Sequence, residues 1–133
     1  MRSSFKVSCD PEAPFEIRRK MDALEGTLPE EAFDDLRLLT NELVTNCVLH
    51  TGAPGSIEVN LAVDPHELVR VEVIDPVPDS LPRVRSAQLD DTSGRGLALV
   101  DAIADRWGVR VGNRKAVWFE LDIQPEPATK VGG

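Results

Sequence analysis

Two stretches of the chain alternate apolar and polar residues on either side of a turn, and they constrain the fold most. Ile57, Val59, Leu61 and Val63 alternate with Glu58, Asn60 and Ala62. Val69, Val71 and Val73 alternate with Arg70, Glu72 and Ile74. A period of two marks a half-buried strand, and Asp64-Pro65-His66-Glu67 between the runs reads as a turn, so the pair predicts an antiparallel hairpin. A second hairpin is predicted further on. Val109-Arg110-Val111 forms one short arm, Gly112-Asn113-Arg114-Lys115 the turn, and Val117, Phe119, Leu121 and Ile123 alternate with Trp118, Glu120 and Asp122 in the other arm. Hairpins are antiparallel, which excludes a doubly wound parallel sheet.

The rest of the chain supplies helices. After a short strand over Phe5–Cys9, ended by Asp10-Pro11, the residues Ile17, Met21, Leu24 and Leu28 mark one face of a first helix. Pro14 is acceptable near its start, and Gly26 and Pro29 stand near its end. Leu36, Leu39, Leu43 and Cys47 mark a longer second helix, Glu30 to His50, which Gly52-Ala53-Pro54-Gly55 stops. Glu30, Glu31, Asp34 and Asp35 crowd its first turns, where they suit the helix dipole. Leu97, Val100, Ala104 and Trp107 mark a third helix that opens directly after Gly94-Arg95-Gly96. The stretch from Asp75 to Ser93 carries three prolines and little periodicity, and reads as a long irregular loop of functional type. This order predicts an α+β fold: a two-layer sandwich, with a mixed, mostly antiparallel sheet and three helices on one face. The other sheet face, carrying Glu58, Asn60, Arg70 and Glu72, is solvated or covered by a partner. Residues 1–123 read as one domain and 124–133 as a disordered tail.

Composition narrows the function. Asp and Glu number 23 against 15 Lys and Arg, a net charge of −8, which argues against direct nucleic-acid binding but leaves room for a nucleotide in a local site. No apolar run is long enough to span a bilayer and the N-terminus lacks the apolar core of a signal peptide, so a cytoplasmic, non-membrane protein is expected. Cys9 and Cys47 both fall at apolar positions and read as buried free thiols. His50 and His66 are not in metal-ligand spacing with each other or with cysteine. Trp107 and Trp118 read as packing residues of the core or sheet face.

Three places carry chemistry. Glu42 and Asn46 are one helical turn apart at the edge of the apolar stripe, where a carboxylate and an amide either meet solvent or meet something polar such as a magnesium ion with phosphate. Asp75 ends an apolar strand; it either starts the turn at Pro76 or accepts a hydrogen bond from an amino group such as that of adenine. Gly94-Arg95-Gly96 at a helix entry is either a tight turn or a phosphate cradle.

In this order the three elements resemble the Bergerat-fold ATPase superfamily, and within it the branch of anti-sigma factor serine/threonine kinases, including stand-alone actinobacterial regulators. Glu42-Leu43-Val44-Thr45-Asn46 resembles that branch's N box, and Gly94-Arg95-Gly96-Leu97-Ala98-Leu99-Val100 its second glycine box. Asp105-Arg106-Trp107-Gly108 and Val117-Trp118-Phe119-Glu120-Leu121 resemble its closing segments. The resemblance covers roughly residues 10 to 123. It implies ATP and Mg²⁺ as cofactors, Glu42 as general base and Asn46 as metal holder. Nucleotide contacts fall to Asn46, Asp75, Gly94, Arg95, Gly96 and Leu97, with Asp75 reading adenine and the Asp75–Ser93 segment forming a lid. The function implied is an ATP-binding regulatory protein kinase, an anti-sigma-like switch that phosphorylates an antagonist protein; its partners are that antagonist and/or a sigma factor, and members of the branch often pair as homodimers. Two departures favour an alternative, a non-catalytic protein-binding regulator with weak or lost nucleotide binding. Val77 stands where the family's first glycine box has Gly. Ala116 stands where the family tends to carry a Thr supporting the adenine-reading Asp.

Overall fold

The computed structural model describes residues 1–51, 55–64, 66–78 and 97–123. The elements run β1 Arg2–Ser8, α1 Ala13–Asp22, α2 Glu30–Thr51, β2 Ser56–Asp64, β3 Leu68–Pro78, β4 Arg106–Arg110 and β5 Arg114–Asp122, and the chain is also helical over 97–103. The strands form one sheet in the order β1-β2-β3-β5-β4, and each adjacent pair is antiparallel. The α+β reading therefore holds, and its "mixed" sheet resolves into an antiparallel one. Both predicted hairpins form, β2 with β3 and β4 with β5, and β1 closes on β2 with Val7 opposite Ile57.

Alternation settles which side of the sheet is covered. Ile57, Val59, Leu61 and Val63 of β2, Val69, Val71 and Val73 of β3, and Phe119 and Leu121 of β5 are buried on one face. They meet Ile17 and Met21 of α1, Leu36, Leu39, Leu43 and Val44 of α2, and Val100 of the third helical segment in a single core. Burial of apolar area at this scale is the main favourable term in such a domain. Pro14 lies in the first turn of α1, as expected, but α1 ends at Asp22. Leu24 and Leu28 reach the core from the turn that follows, in which Gly26 adopts φ +91°, a conformation that suits glycine.

Two expectations change. Trp107 belongs to β4, not to the third helix; its indole N–H donates to Asp101 at 2.9 Å and its ring packs on the core. Asp75 to Pro78, read as the start of a loop, continues β3 through a register shift between Ile74 and Pro78. Prolines 76 and 78 fit there because an irregular strand end tolerates residues without an N–H. The remainder of the proposed lid, the Gly94-Arg95-Gly96 entry and the tail 124–133 lie outside the described residues. Among the described residues, no helix is long and apolar enough to cross a membrane.

The opposite sheet face is a ladder of charges set by register. Arg70 stands directly across from Glu120 on one side, and Arg106 on the other. Arg70 Nη1 lies 2.9 Å from Glu120 Oε2, and Arg106 Nε 2.6 Å from Glu120 Oε1. Arg106 also pairs with Asp122, Arg110 with Glu72, and Ser4 Oγ donates to Asn60 Oδ1 at 2.8 Å. The hydrogen bond from Arg106, against the opposing pull of burial and with further help from Arg70, holds the Glu120 carboxyl below its usual range. A folded-state value lowered in this way stabilises the fold above the unfolded value near 4.5, and the contribution is lost as pH falls through the lowered value. Glu120→Gln should therefore cost no more than about 1 kcal/mol at neutral pH, given how exposed the arginines are. Urea midpoints of the two proteins should keep a constant gap well above pH 4.5 and converge as the pH falls below 4.5 and through the lowered value. A gap that persists at low pH would assign the cost to packing instead.

Candidate functional site

The long second helix places the first two candidate residues. On α2, positions 35, 39, 42 and 46 form one stripe at helical spacing, and positions 34, 37 and 41 form another, roughly 130° round the axis. The second stripe faces α1: Arg37 Nη1 lies 3.3 Å from Asp22 Oδ1, and Asp34, Arg37, Leu38 and Asn41 line a groove against Ile17 and Met21. Glu42 and Asn46 therefore sit on the edge turned away from α1. Both are half-buried, as expected of residues at the boundary of the core stripe.

Asp35 identifies what that edge looks toward. Its carboxyl is raised above the usual range, first by burial, then by Glu31 and Asp34, and also by Asp105. Asp105 follows the helical segment 97–103, so the Asp35 end of this stripe lies within electrostatic reach of the residues that close that segment. Leu97, the first described residue there, is half-buried and packs against the core.

Asp75 approaches from the sheet. It follows Val73 by two on β3, so it extends the inner face. Burial raises the Cys47 thiol far above its usual range, and the charge of Asp75 adds to the effect, followed by Cys9; Lys115 works against it. Cys9 is raised likewise by burial, then by Asp75 and Asp10, and its Sγ–H donates to the Cys47 carbonyl at 3.8 Å. Cys47, next to Asn46 in the chain, thus lies within electrostatic reach of Asp75, and Cys9, just past the end of β1, bonds its carbonyl. Both cysteines are free and pack against the core, each half-buried by residue exposure. The structure brings Cys47, the neighbour of Asn46 in the chain, within electrostatic reach of Asp75, and Leu97 packs on the core.

The two departures from the family pattern fare differently. The side chain of Val77 lies outside the described residues, as does that of His50. Ala116 pairs with Ile74, whereas the inward position beside it, 117, pairs with core residue Val73. Ala116 is therefore buried on the charged face of the sheet, away from the inner face that Asp75 extends. Its missing hydroxyl cannot be the loss it was read as. The neighbouring inward position is Lys115, half-buried and within electrostatic reach of Cys47. Lys115 and Arg114, whose Nε donates to the Asp75 carbonyl at 3.1 Å, were missed by sequence reasoning, which saw in them only a hairpin turn.

The donor set suits a nucleotide with a hard cation. A carboxylate and an amide oxygen one turn apart match magnesium's preference for oxygen. An acidic acceptor at a half-buried strand end matches an amino group better than it matches phosphate.

The family model described as the histidine kinase-like ATPase domain matches residues 7–121. A protein of Streptomyces coelicolor described as uncharacterized is 45% identical over 86 residues, which is 63% of this chain and 82% of that protein.

Proposed function

Because the chain belongs to the histidine kinase-like ATPase domain family, an ATP-binding one, we propose that it is a regulatory serine/threonine protein kinase. It would act as an anti-sigma-like switch that phosphorylates an antagonist protein on a hydroxyl. The observation that supports this reading is the placement of Glu42 and Asn46 on the edge of α2 turned from α1, with Asp75 within electrostatic reach of the adjoining Cys47. Magnesium-bound ATP would supply the transferable phosphoryl group. Asn46 would hold the cation through its side-chain oxygen. Among the described residues no cluster of three or more His, Cys, Asp or Glu forms a cage, and magnesium in nucleotide sites commonly takes few protein oxygens. Glu42 would accept the proton of the attacking hydroxyl and orient its oxygen. Asp75 would accept a hydrogen bond from the exocyclic amine of adenine. Gly94, Arg95, Gly96 and Leu97 would place a helix N-terminus against the phosphates. Positioning and charge neutralisation carry most of phosphoryl transfer, so a small set of this kind would serve. Sigma factor, antagonist and self-pairing are the partners this reading proposes.

Calorimetry tests the nucleotide half. Wild-type protein should bind ATP with Mg²⁺ in the micromolar range, about −8 kcal/mol. Asp75→Asn should weaken that binding by about tenfold or more, because an acceptor facing the amine is replaced by a group that can present a donor. No heat at millimolar ATP would leave the chain a protein-binding regulator without nucleotide.

A further inference from the structure

We propose that Arg114 is a positioning residue for Asp75, and through it sets the preference of the site for adenine. The inference rests on the nucleotide reading above. The β3–β5 ladder is regular from Leu68 opposite Asp122 to Ile74 opposite Ala116, then shifts before Pro78 meets Arg114. Asp75 is the first residue past the regular part, so its height and tilt are not fixed by an unbroken ladder on both sides. Arg114 spans that gap. Its Nε donates to the carbonyl of Asp75 at 3.1 Å and its Nη2 to the carbonyl of Ser56 at 3.4 Å, while Nη1 lies 3.8 Å from Glu58 Oε1. One planar guanidinium thereby ties the irregular end of β3 to the first residue of β2, from a base on β5. A guanidinium can do this because its donors are fixed in a fork; an ammonium on a flexible stem has no such geometry.

The two faces of the sheet divide the work. Arg114 and Glu58 lie on the charged face, and Arg114 grips Asp75 through the main chain. The Asp75 side chain extends the other face, toward Cys47. Arg114 therefore touches no nucleotide. It fixes the peptide from which the carboxylate is aimed, and small errors of aim are costly in a site that reads one hydrogen bond. Adenine offers an amine where guanine offers a carbonyl, so the ratio of ATP to GTP affinity measures that aim directly.

The test uses the full chain carrying Arg114→Gln, with Kd measured calorimetrically for MgATP, MgGTP and magnesium tripolyphosphate. Tripolyphosphate has no base and reports the phosphate end alone. Arg114→Gln should weaken ATP by about tenfold, lower the ATP-to-GTP ratio by a similar factor and leave tripolyphosphate unchanged. Arg114→Lys should behave like Gln rather than like wild type, and it carries the same measurements should the Gln variant not fold. An unchanged ATP-to-GTP ratio, or an equal loss for all three ligands, overturns the proposal, since the second is what general loosening of the fold would produce. If wild-type protein itself binds ATP no better than tripolyphosphate, the adenine reading of Asp75 falls along with this one. If wild type prefers ATP and both variants keep that preference, only the role of Arg114 falls.

Discussion

Replacing Glu42 by alanine should slow phosphoryl transfer from ATP by about 10²–10⁴-fold, the usual contribution of a positioned general base. ATP affinity should stay within about threefold, because a base that acts on the attacking oxygen contributes in the transition state and little to ground-state binding. The readout is single-turnover phosphate release from ATP with Mg²⁺, where water takes the place of the protein hydroxyl. Glu42 is one turn from Asn46, the residue assigned to the cation, and the two share one stripe of α2 with Asp35 and Leu39. The contrast with Asn46→Ala is therefore informative. Losing the metal holder should weaken nucleotide binding and transfer together, whereas losing Glu42 should separate them. Glu42→Gln keeps the shape and the hydrogen-bonding reach but cannot take a proton, so it should resemble alanine in rate. A Glu42→Ala protein that releases phosphate as fast as wild type removes Glu42 as the base and leaves the stripe a solvated helix edge.

How much of this could be read without coordinates depends on whether the determining contacts are local. The strand pairs were legible because a period of two survives in the sequence wherever one face is buried, as in Ile57 to Val63 and Val117 to Ile123. Glu42 and Asn46 were legible for the same reason on α2: a helix fixes the relative direction of residues four apart. Trp107 was misplaced because it faces the core and sits three residues after Ala104, so the helical spacing runs on past the end of the helix. No glycine or proline punctuates the change at 104–105. Pro76 and Pro78 concealed the continuation of β3, since proline normally argues against a strand and only an irregular strand end accommodates it. Ala116 was given a role beside Asp75 that only register could decide, and the pairing of Ile74 with Ala116 puts it on the other face. Arg114 could not have been read at all. Its contact with Asp75 spans 39 residues of sequence and exists because two strands pair at one register and slip at another.

The same dependence on register produces the largest expected loss of stability. Gly108 lies in β4 directly opposite Trp118 of β5, and the indole covers it. A Cβ at position 108 would stand 2.9 Å from both Cζ2 and Nε1 of that ring, closer than such atoms pack. The same ring is stacked by Arg70, whose guanidinium carbon lies 4.3 Å from the ring centroid, and Arg70 is in turn paired with Glu120. The indole cannot yield without giving up that stack, worth about 0.5–1 kcal/mol at a half-exposed site. Strand propensity alone makes the opposite forecast, since valine is favoured over glycine in a strand by up to about 1 kcal/mol. The overpacking term should win: Gly108→Val is expected to cost about 1–3 kcal/mol and to lower Tm by roughly 5–10 °C. Trp118→Leu removes the ring and supplies the control. In that background Gly108→Val should be neutral or stabilising, so the two substitutions should be strongly non-additive in a double-mutant cycle. Additive costs would mean that glycine is needed at position 108 for its backbone and not for the indole that lies across it.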